Sequence, residues 1–451
     1  MNKDHKSIDK KYLWHPFTQM KDWVENDIIV IERGEGSYLI DTEGKRYIDG
    51  VSSLWCNVHG HRKKELDQAI SSQLDKIAHS TFLGLSNVPA VELAEKLIAI
   101  APRGLSRVFY SDSGASAVEV AIKMAYQYWH QKEGKNTKKK KLLHLTNSYH
   151  GDTLGSVSVG GIELFHKVYH SLLFDTISTA APYCYRCPFG KEETACGKEC
   201  IEALREKVKK HKNELAALVI EPVMLGAAGM LKQPEGFITA AREVTREHNV
   251  LLICDEVATG FGRTGTMFAC DTEGITPDLM AVGKGITGGY LPLSATLATE
   301  EIFNGFLGEY EELKTFYHGH TYSGNPLAAA VACANLDLFG KEKILETLRS
   351  KIELMTKRLD TLKDLDHVGD IRQAGFMVGI ELVQDKRTKQ NFPFEERIGH
   401  NVILKARERN VMIRPLGDVI ILMPPLSIEE AVLEELIDVV KWAIERVMGQ
   451  G

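Results

Sequence analysis

Three short runs of almost uninterrupted apolar residues constrain this chain more than any other feature: Leu142-Leu143-His144-Leu145-Thr146, Ala217-Leu218-Val219-Ile220 and Val250-Leu251-Leu252-Ile253-Cys254. A strand with one face in water alternates apolar and polar residues. A strand covered on both faces does not, so such runs mark parallel strands sandwiched between helices. Helical spacing lies between them: Val118, Ile122, Ala125 and Tyr128 recur at helical intervals, and residues 237–248 read as a second helix. Strands alternating with helices predict an α/β fold on a mostly parallel central sheet.

The C-terminal part reads differently. A helix over residues 342–363 precedes short strands at 376–383, 411–414 and 419–423. Ser427 with Glu430 three residues on predicts a capping box for a last helix, whose apolar stripe is Val432, Leu436, Val439, Val440 and Ile444. This predicts a smaller α+β domain. Near the N-terminus, residues 37–49 read as a hairpin turned by Glu43-Gly44 that can join it. The expected organisation is an N-terminal segment (1–60) packing with the small domain, a large domain (61–335) and the small domain itself (336–451).

Composition excludes some function classes. A net charge of −6 gives no footprint for nucleic acid or an anionic membrane surface. The one dense basic run, Lys138-Lys139-Lys140-Lys141, is expected to be a solvated turn. No apolar stretch approaches the ~20 residues of a membrane span. Residues 1–11 are polar and lack the apolar core of a secretory signal, so the cytoplasm is the expected compartment, with the eight cysteines reduced. Four of these cluster as Cys184-x2-Cys187 and Cys196-x3-Cys200. That spacing suits either zinc or a cysteine-bearing excursion leading into a helix at 201–210. No histidine lies inside the cluster, and no metal is expected.

The chemistry concentrates around Lys284. It stands between Gly283 and Gly285, 29 residues after Asp255, which closes the last of the apolar runs. A lysine fenced by glycines, with an acid at the end of a buried strand, is what pyridoxal phosphate requires. The amine bonds to the cofactor's aldehyde, and the carboxylate keeps the pyridine nitrogen protonated. Tyr110-Ser111-Asp112-Ser113-Gly114-Ala115-Ser116-Ala117 turns directly into the helix through Met124. Small residues there let backbone N–H groups and the positive helix end close on a phosphate. Tyr149 closes one strand with an aromatic face, and Glu221 closes the next with a carboxylate that is awkward to bury without a polar role. A crevice at the C-terminal strand ends would collect Tyr149, Glu221 and Asp255. Neither a P-loop nor a convincing dinucleotide fingerprint is present.

These residues resemble class III aminotransferases of the fold type I pyridoxal-phosphate superfamily over roughly residues 12–447. The most diagnostic stretch is Asp255-Glu256-Val257-Ala258-Thr259-Gly260-Phe261-Gly262-Arg263-Thr264-Gly265, followed by Pro277-Asp278-Leu279 and Lys284. Within the class, four further segments are similar to the 7,8-diaminopelargonate synthases of biotin synthesis. They are Trp14-His15-Pro16-Phe17-Thr18-Gln19-Met20, Ser52-Ser53-Leu54-Trp55, His318-Gly319-His320-Thr321-Tyr322 and Arg414-Pro415-Leu416-Gly417.

The resemblance implies a set of roles. Lys284 carries the cofactor and moves the proton, Asp255 faces the pyridine nitrogen and Tyr149 stacks on the ring. Gly114 and Ala115 hold the phosphate; the family often has serine at the latter position. Thr321, beside Gly319 and His320, reaches the phosphate bound by the neighbouring subunit of a homodimer. Arg414 pairs with a substrate carboxylate. The implied acceptor is 8-amino-7-oxononanoate. Relatives that use S-adenosylmethionine as donor typically have tyrosine at Phe17 and tryptophan at Leu54, beside Trp55. The implied donor is therefore L-lysine, with S-adenosylmethionine, or another class III ω-amino acid reaction, as the alternative.

Overall fold

The structure is a computed structural model describing residues 4–449; residues 1–3, at the start of the polar N-terminal segment, and 450–451 lie outside it. Seven strands make the central sheet, in the spatial order Leu105–Ser111, Ser294–Thr299, Leu279–Val282, Leu251–Asp255, Leu215–Ile220, Lys141–Leu145 and Ile177–Thr179. The three apolar runs are adjacent in its interior, and every residue of Leu215–Ile220 and Leu251–Asp255 is buried. Successive side chains of a strand point to opposite faces, and here each face has its own helices. Leu142, Val219 and Ile253 pack with Val118, Ile122 and Ala125 of the helix Gly114–Glu133 on one side. Leu143, Leu218 and Leu252 pack with Leu204 and Ala241 of the helices Glu199–His211 and Phe237–Glu247 on the other.

Ser294–Thr299 runs antiparallel to both its neighbours, and the other six strands run parallel to one another. The connection leading to it from Leu279–Val282 is too short for a crossover, so the chain reverses there. That reversal carries Lys284 just beyond the C-terminal edge of the sheet.

The C-terminal strands Val368–Ala374, Met377–Leu382, Val419–Leu422 and Arg414–Leu416 form an antiparallel sheet. It is accompanied by the helices Ile344–Asp360, Ile398–Glu408 and Glu430–Val447. A second small sheet joins Ile31–Glu35, Tyr38–Asp41 and Arg46–Asp49 to Val411–Met412. The strand expected at 411–414 is thus two strands. Met412 gives its carbonyl to the Gly50 N–H, while Arg414 pairs with Ile421 in the other sheet. Among the described residues no helix is long and apolar enough to cross a membrane.

Two local expectations are corrected. Lys139 is not solvated: it is 6% exposed, and its ammonium donates to the carbonyls of Lys212, Leu215 and Asn249 while lying 4.3 Å from the Trp129 ring centroid. A long aliphatic stem lets the charge reach carbonyls from a buried position, and burial lowers its pKa. The capping box at Ser427 does not form. The last helix begins at Glu430 with Glu429 as an uncapped N-cap, the Ser427 N–H bonds to the Val58 carbonyl, and Glu430 accepts from Ser350. Ser427→Ala is therefore expected to change stability by less than about 0.5 kcal/mol in urea unfolding, against the ~1 kcal/mol of a working cap.

Candidate active site

The C-terminal ends of the central strands open on one crevice, and four of the expected side chains meet there. Asp255 ends its strand beside Ala281 of the neighbouring strand, and the Glu256 N–H bonds to the Ala281 carbonyl at 2.8 Å. The chain then runs through Val282 and Gly283 to Lys284, which adopts a left-handed backbone at φ +44°. A lysine in that region is strained, and such strain persists where the surroundings over-determine it. The Lys284 amine lies 4.7 Å from the Trp55 ring centroid. It has no hydrogen-bond acceptor among the described residues. The residue is half-buried, with an open edge to the crevice. That burial lowers its pKa below the usual lysine range, against the opposing pull of Asp255 and Glu221. A larger fraction of free amine, the nucleophilic form, results.

Asp255 is 5% exposed and both of its oxygens are engaged: Oδ1 accepts the Val257 N–H at 3.0 Å, and Oδ2 lies 2.7 Å from His150 Nδ1. His150 is 3% exposed. Burial alone would hold its ring neutral, but the hydrogen bond to Asp255 and the charges of Asp255 and Glu221 outweigh burial and raise its pKa. His150 stands in the Tyr149-His150-Gly151 turn and was not picked out from sequence. Its signal, an imidazole at the end of a buried strand, acquires meaning only when a carboxylate faces it.

Glu221 accepts the N–H groups of Tyr149 at 3.0 Å and Gly226 at 2.9 Å, so it fixes the turn that presents Tyr149. Burial pushes its carboxyl up to about 7, with His150 pulling against the shift and Asp255 adding to it. The Tyr149 hydroxyl donates to Asp152 at 2.7 Å.

The expected phosphate turn is a helix N-terminus. Ser113 caps the helix Gly114–Glu133 by accepting the Ser116 N–H, and the N–H groups of Gly114 and Ala115 lie in the first turn, where no helical carbonyl precedes them. Space is tight. A Cβ at Gly114 would fall 2.4 Å from Val257, and one at Gly151, at φ +115°, would fall 2.4 Å from the Ala115 side chain. Gly283, which precedes the lysine, packs against Gly114 itself. His320 Nδ1 lies 2.8 Å from Asp112 Oδ2, at the edge of this cradle.

Gly319, Thr321, Phe17, Leu54 and Arg414 are exposed in the single chain. Arg414 opens an edge strand, and none of the described residues hydrogen-bonds its guanidinium. Leu54 lies in a strained turn in which Ser52, Ser53 and Trp55 all have positive φ; the turn is held by Asp49, which accepts the Ser53 N–H at 2.8 Å. The four clustered cysteines all line one cavity of about 180 Å³, with Lys191, Lys198 and Glu199. Among the described residues no three His, Cys, Asp or Glu side chains are placed to hold a metal ion.

An amine beside a carboxylate at the end of a parallel sheet, with an aromatic face and an anion cradle, defines an aminotransferase-like site, and comparison with known proteins agrees. The model of the class III aminotransferase family matches residues 19–444. Adenosylmethionine-8-amino-7-oxononanoate aminotransferase of Geobacter sulfurreducens is 54% identical, covering 98% of this chain and 97% of that protein. The solved structure of the enzyme of that name from Methanocaldococcus jannaschii superposes with a TM-score of 0.94 at 48% identity, covering 98% of each chain. An omega transaminase from Pseudomonas jessenii, solved in complex with PMP, superposes with a TM-score of 0.94 at 31% identity, covering 100% of each. The chain belongs to the class III aminotransferase family. It is a pyridoxal-phosphate-dependent aminotransferase of fold type I.

The raised carboxyl of Glu221 makes a pH prediction for the protein without cofactor. A carboxyl whose folded pKa lies above its unfolded value near 4.3 favours folding at low pH, and that contribution is lost as pH rises toward about 7. Glu221→Gln, which has no such charge, should therefore gain stability relative to the parent between pH 5 and pH 8. A melting-temperature difference that stays flat over that range would contradict the assignment.

Proposed function

We propose that this enzyme transfers an amino group to the ketone of 8-amino-7-oxononanoate, giving 7,8-diaminononanoate in biotin biosynthesis, with L-lysine as donor. The observation that carries the chemistry is the meeting of Lys284, Asp255, Tyr149 and the Gly114 cradle in one crevice. The names of relatives matched over nearly the whole chain carry the acceptor.

The crevice fits pyridoxal phosphate. The Lys284 amine is without an acceptor among the described residues and its pKa is lowered, and Gly114 and Gly151 leave no room for a side chain where a phosphate would sit. When bound, the cofactor supplies an electrophilic carbon for an amine and a ring that takes up the electrons of a broken Cα–H bond. Lys284, with its lowered pKa, takes the proton from the donor's Cα and later delivers one to the acceptor's carbon. Asp255, backed by His150, holds the proton at the pyridine nitrogen. Tyr149, presented by Glu221, covers one ring face. Gly114 and Ala115 offer N–H groups to the phosphate.

Arg414 has donors to spare for a bidentate pair with a carboxylate, and this supports its role in holding the substrate. Gly319, His320 and Thr321 are exposed in the single chain, as are Leu83, Leu85, Val88, Tyr317 and Tyr322. Such apolar exposure supports a homodimer in which Thr321 of one subunit reaches the other's phosphate. The enzyme would act in the cytoplasm, where its cysteines stay reduced.

The donor rests on Phe17 and Leu54. S-adenosylmethionine brings a sulfonium cation and an adenine, both suited to aromatic faces, at about 0.5–2 kcal/mol for the cation alone. Leu54 offers no such face and Phe17 no hydroxyl, whereas lysine needs neither. The adenosylmethionine in the relatives' names supports the second reading, in which that compound is the donor.

Two measurements test the proposal. Purified holoenzyme should show a yellow absorption that L-lysine bleaches in a single turnover and S-adenosylmethionine does not; bleaching by the latter alone would reverse the donor. Lys284→Ala should lose more than about a hundredfold in turnover, the scale of an essential acid–base group, while still binding the cofactor non-covalently. Retention of activity by that variant would remove the lysine from the reaction.

A further inference from the structure

Phe165 is in ring contact with both Phe17 and Tyr149. It lies on the short helix Glu163–His166, with its ring centroid 5.3 Å from Phe17 at 67° and 6.4 Å from Tyr149 at 86°, edge-to-face on both sides. On another side of Tyr149, His166 lies nearly parallel to it at 6.4 Å and 15°. His166 is 4% exposed, and neither of its ring nitrogens has a partner among the described residues. Phe17, in contrast, is 60% exposed and lines an open cleft of about 950 Å³ with Leu164, Tyr169 and Phe394. Phe165 thus links Phe17, which lines that cleft, to Tyr149 through ring contacts.

The position of Phe17 is itself held from behind. Asp9 accepts from His15 at 3.0 Å and from Trp23 Nε1 at 2.8 Å, and Asp22 pairs with Arg397 at 2.7 Å, tying the segment to the small domain. Phe17 then takes a left-handed backbone at φ +49° that turns its ring onto Phe165.

We propose that Phe165 determines which amino donor the enzyme accepts, because its ring contacts both Phe17 and Tyr149, where a donor bearing a flat bicyclic base would have to stack. This rests on the transamination proposed above. An adenine must stack, and both neighbours of Phe165 already use its ring in edge-to-face contact, so stacking would displace one of them. An unbranched aliphatic amine passes beside an edge-on phenyl ring without disturbing either pair. Phe165 acts on selection of the donor and takes no part in the proton transfers.

The test is the ratio of single-turnover specificity constants for L-lysine and S-adenosylmethionine, read as bleaching of the yellow holoenzyme. In Phe165→Ala this ratio should fall by about tenfold or more, the scale on which an apolar pocket separates substrates. Phe165→Tyr keeps the ring and should keep the ratio. Phe165→Leu, which retains apolar volume without a ring, should shift it in the same direction as alanine, and it carries the test if the alanine variant does not fold. A merely structural role slows both donors alike, so an unchanged ratio overturns the proposal whatever the absolute rates. The parent ratio judges the donor separately: a parent preferring S-adenosylmethionine refutes lysine, and the role of Phe165 then stands or falls on whether its removal moves the ratio. A parent bleached by neither donor overturns both.

Discussion

The site depends on a buried carboxylate held from two sides. Asp255 sits at the end of a central strand, where an isolated ion would be severely destabilising. What makes it tolerable is the His150 ring 2.7 Å from one oxygen and the Val257 N–H on the other. Its surroundings add Glu221, Lys284 and the buried Arg263, whose guanidinium donates to the carbonyls of Pro424 and Asn57. Burial drives the lysine and Glu221 toward their neutral forms, while the histidine is drawn toward its charged form. The result is a set of titratable groups whose environments push their protonation apart, the usual basis for assigning acid and base roles in one pocket.

Backbone strain gathers around the same group. Lys284, Ser52, Ser53 and Trp55 all have positive φ, and each lies within or beside the crevice. Left-handed lysine, serine and tryptophan are costly, and they persist because packing and hydrogen bonds leave no alternative. Asp49 is the clearest restraint, taking the Ser53 N–H on both oxygens and facing His61 at 2.9 Å. Trp55 is then fixed in a core with Met224, Met377, Ile421 and Met423. Arg372 ties the C-terminal antiparallel sheet to residues near the central sheet: it donates to the Gly229 and Met230 carbonyls and pairs with Glu381, and Tyr183 and Arg186 bond to that same carboxylate.

Much of this was legible in the sequence, for reasons that differ from residue to residue. Parallel strands announce themselves because burial on both faces removes polar residues from them, so the three apolar runs landed side by side in the sheet. Asp255, Tyr149 and Glu221 could be grouped because each follows such a run and strands in parallel deliver their ends to one edge; Lys284 joined them as a glycine-fenced lysine after an acid. Local polar patterns transferred less well. Ser427 and Glu430 have the spacing of a capping box, but the Val58 carbonyl claims the serine's backbone. Lys139 reads as solvated, but three carbonyls and the Trp129 face draw it inward.

The sequence by itself determined the kind of fold, the strand ends that carry the chemistry, and the family. These follow from hydrophobic periodicity and from residue types that only one chemistry brings together. Tertiary structure alone decided that His150 stands behind Asp255, that Phe165 contacts both Phe17 and Tyr149, and that the chain at residues 411–416 divides between two sheets. Those facts concern pairs of residues distant in sequence or turns whose direction depends on a neighbour. No local pattern encodes them, because burial, charge pairing and ring contact arise only when separate segments are packed together.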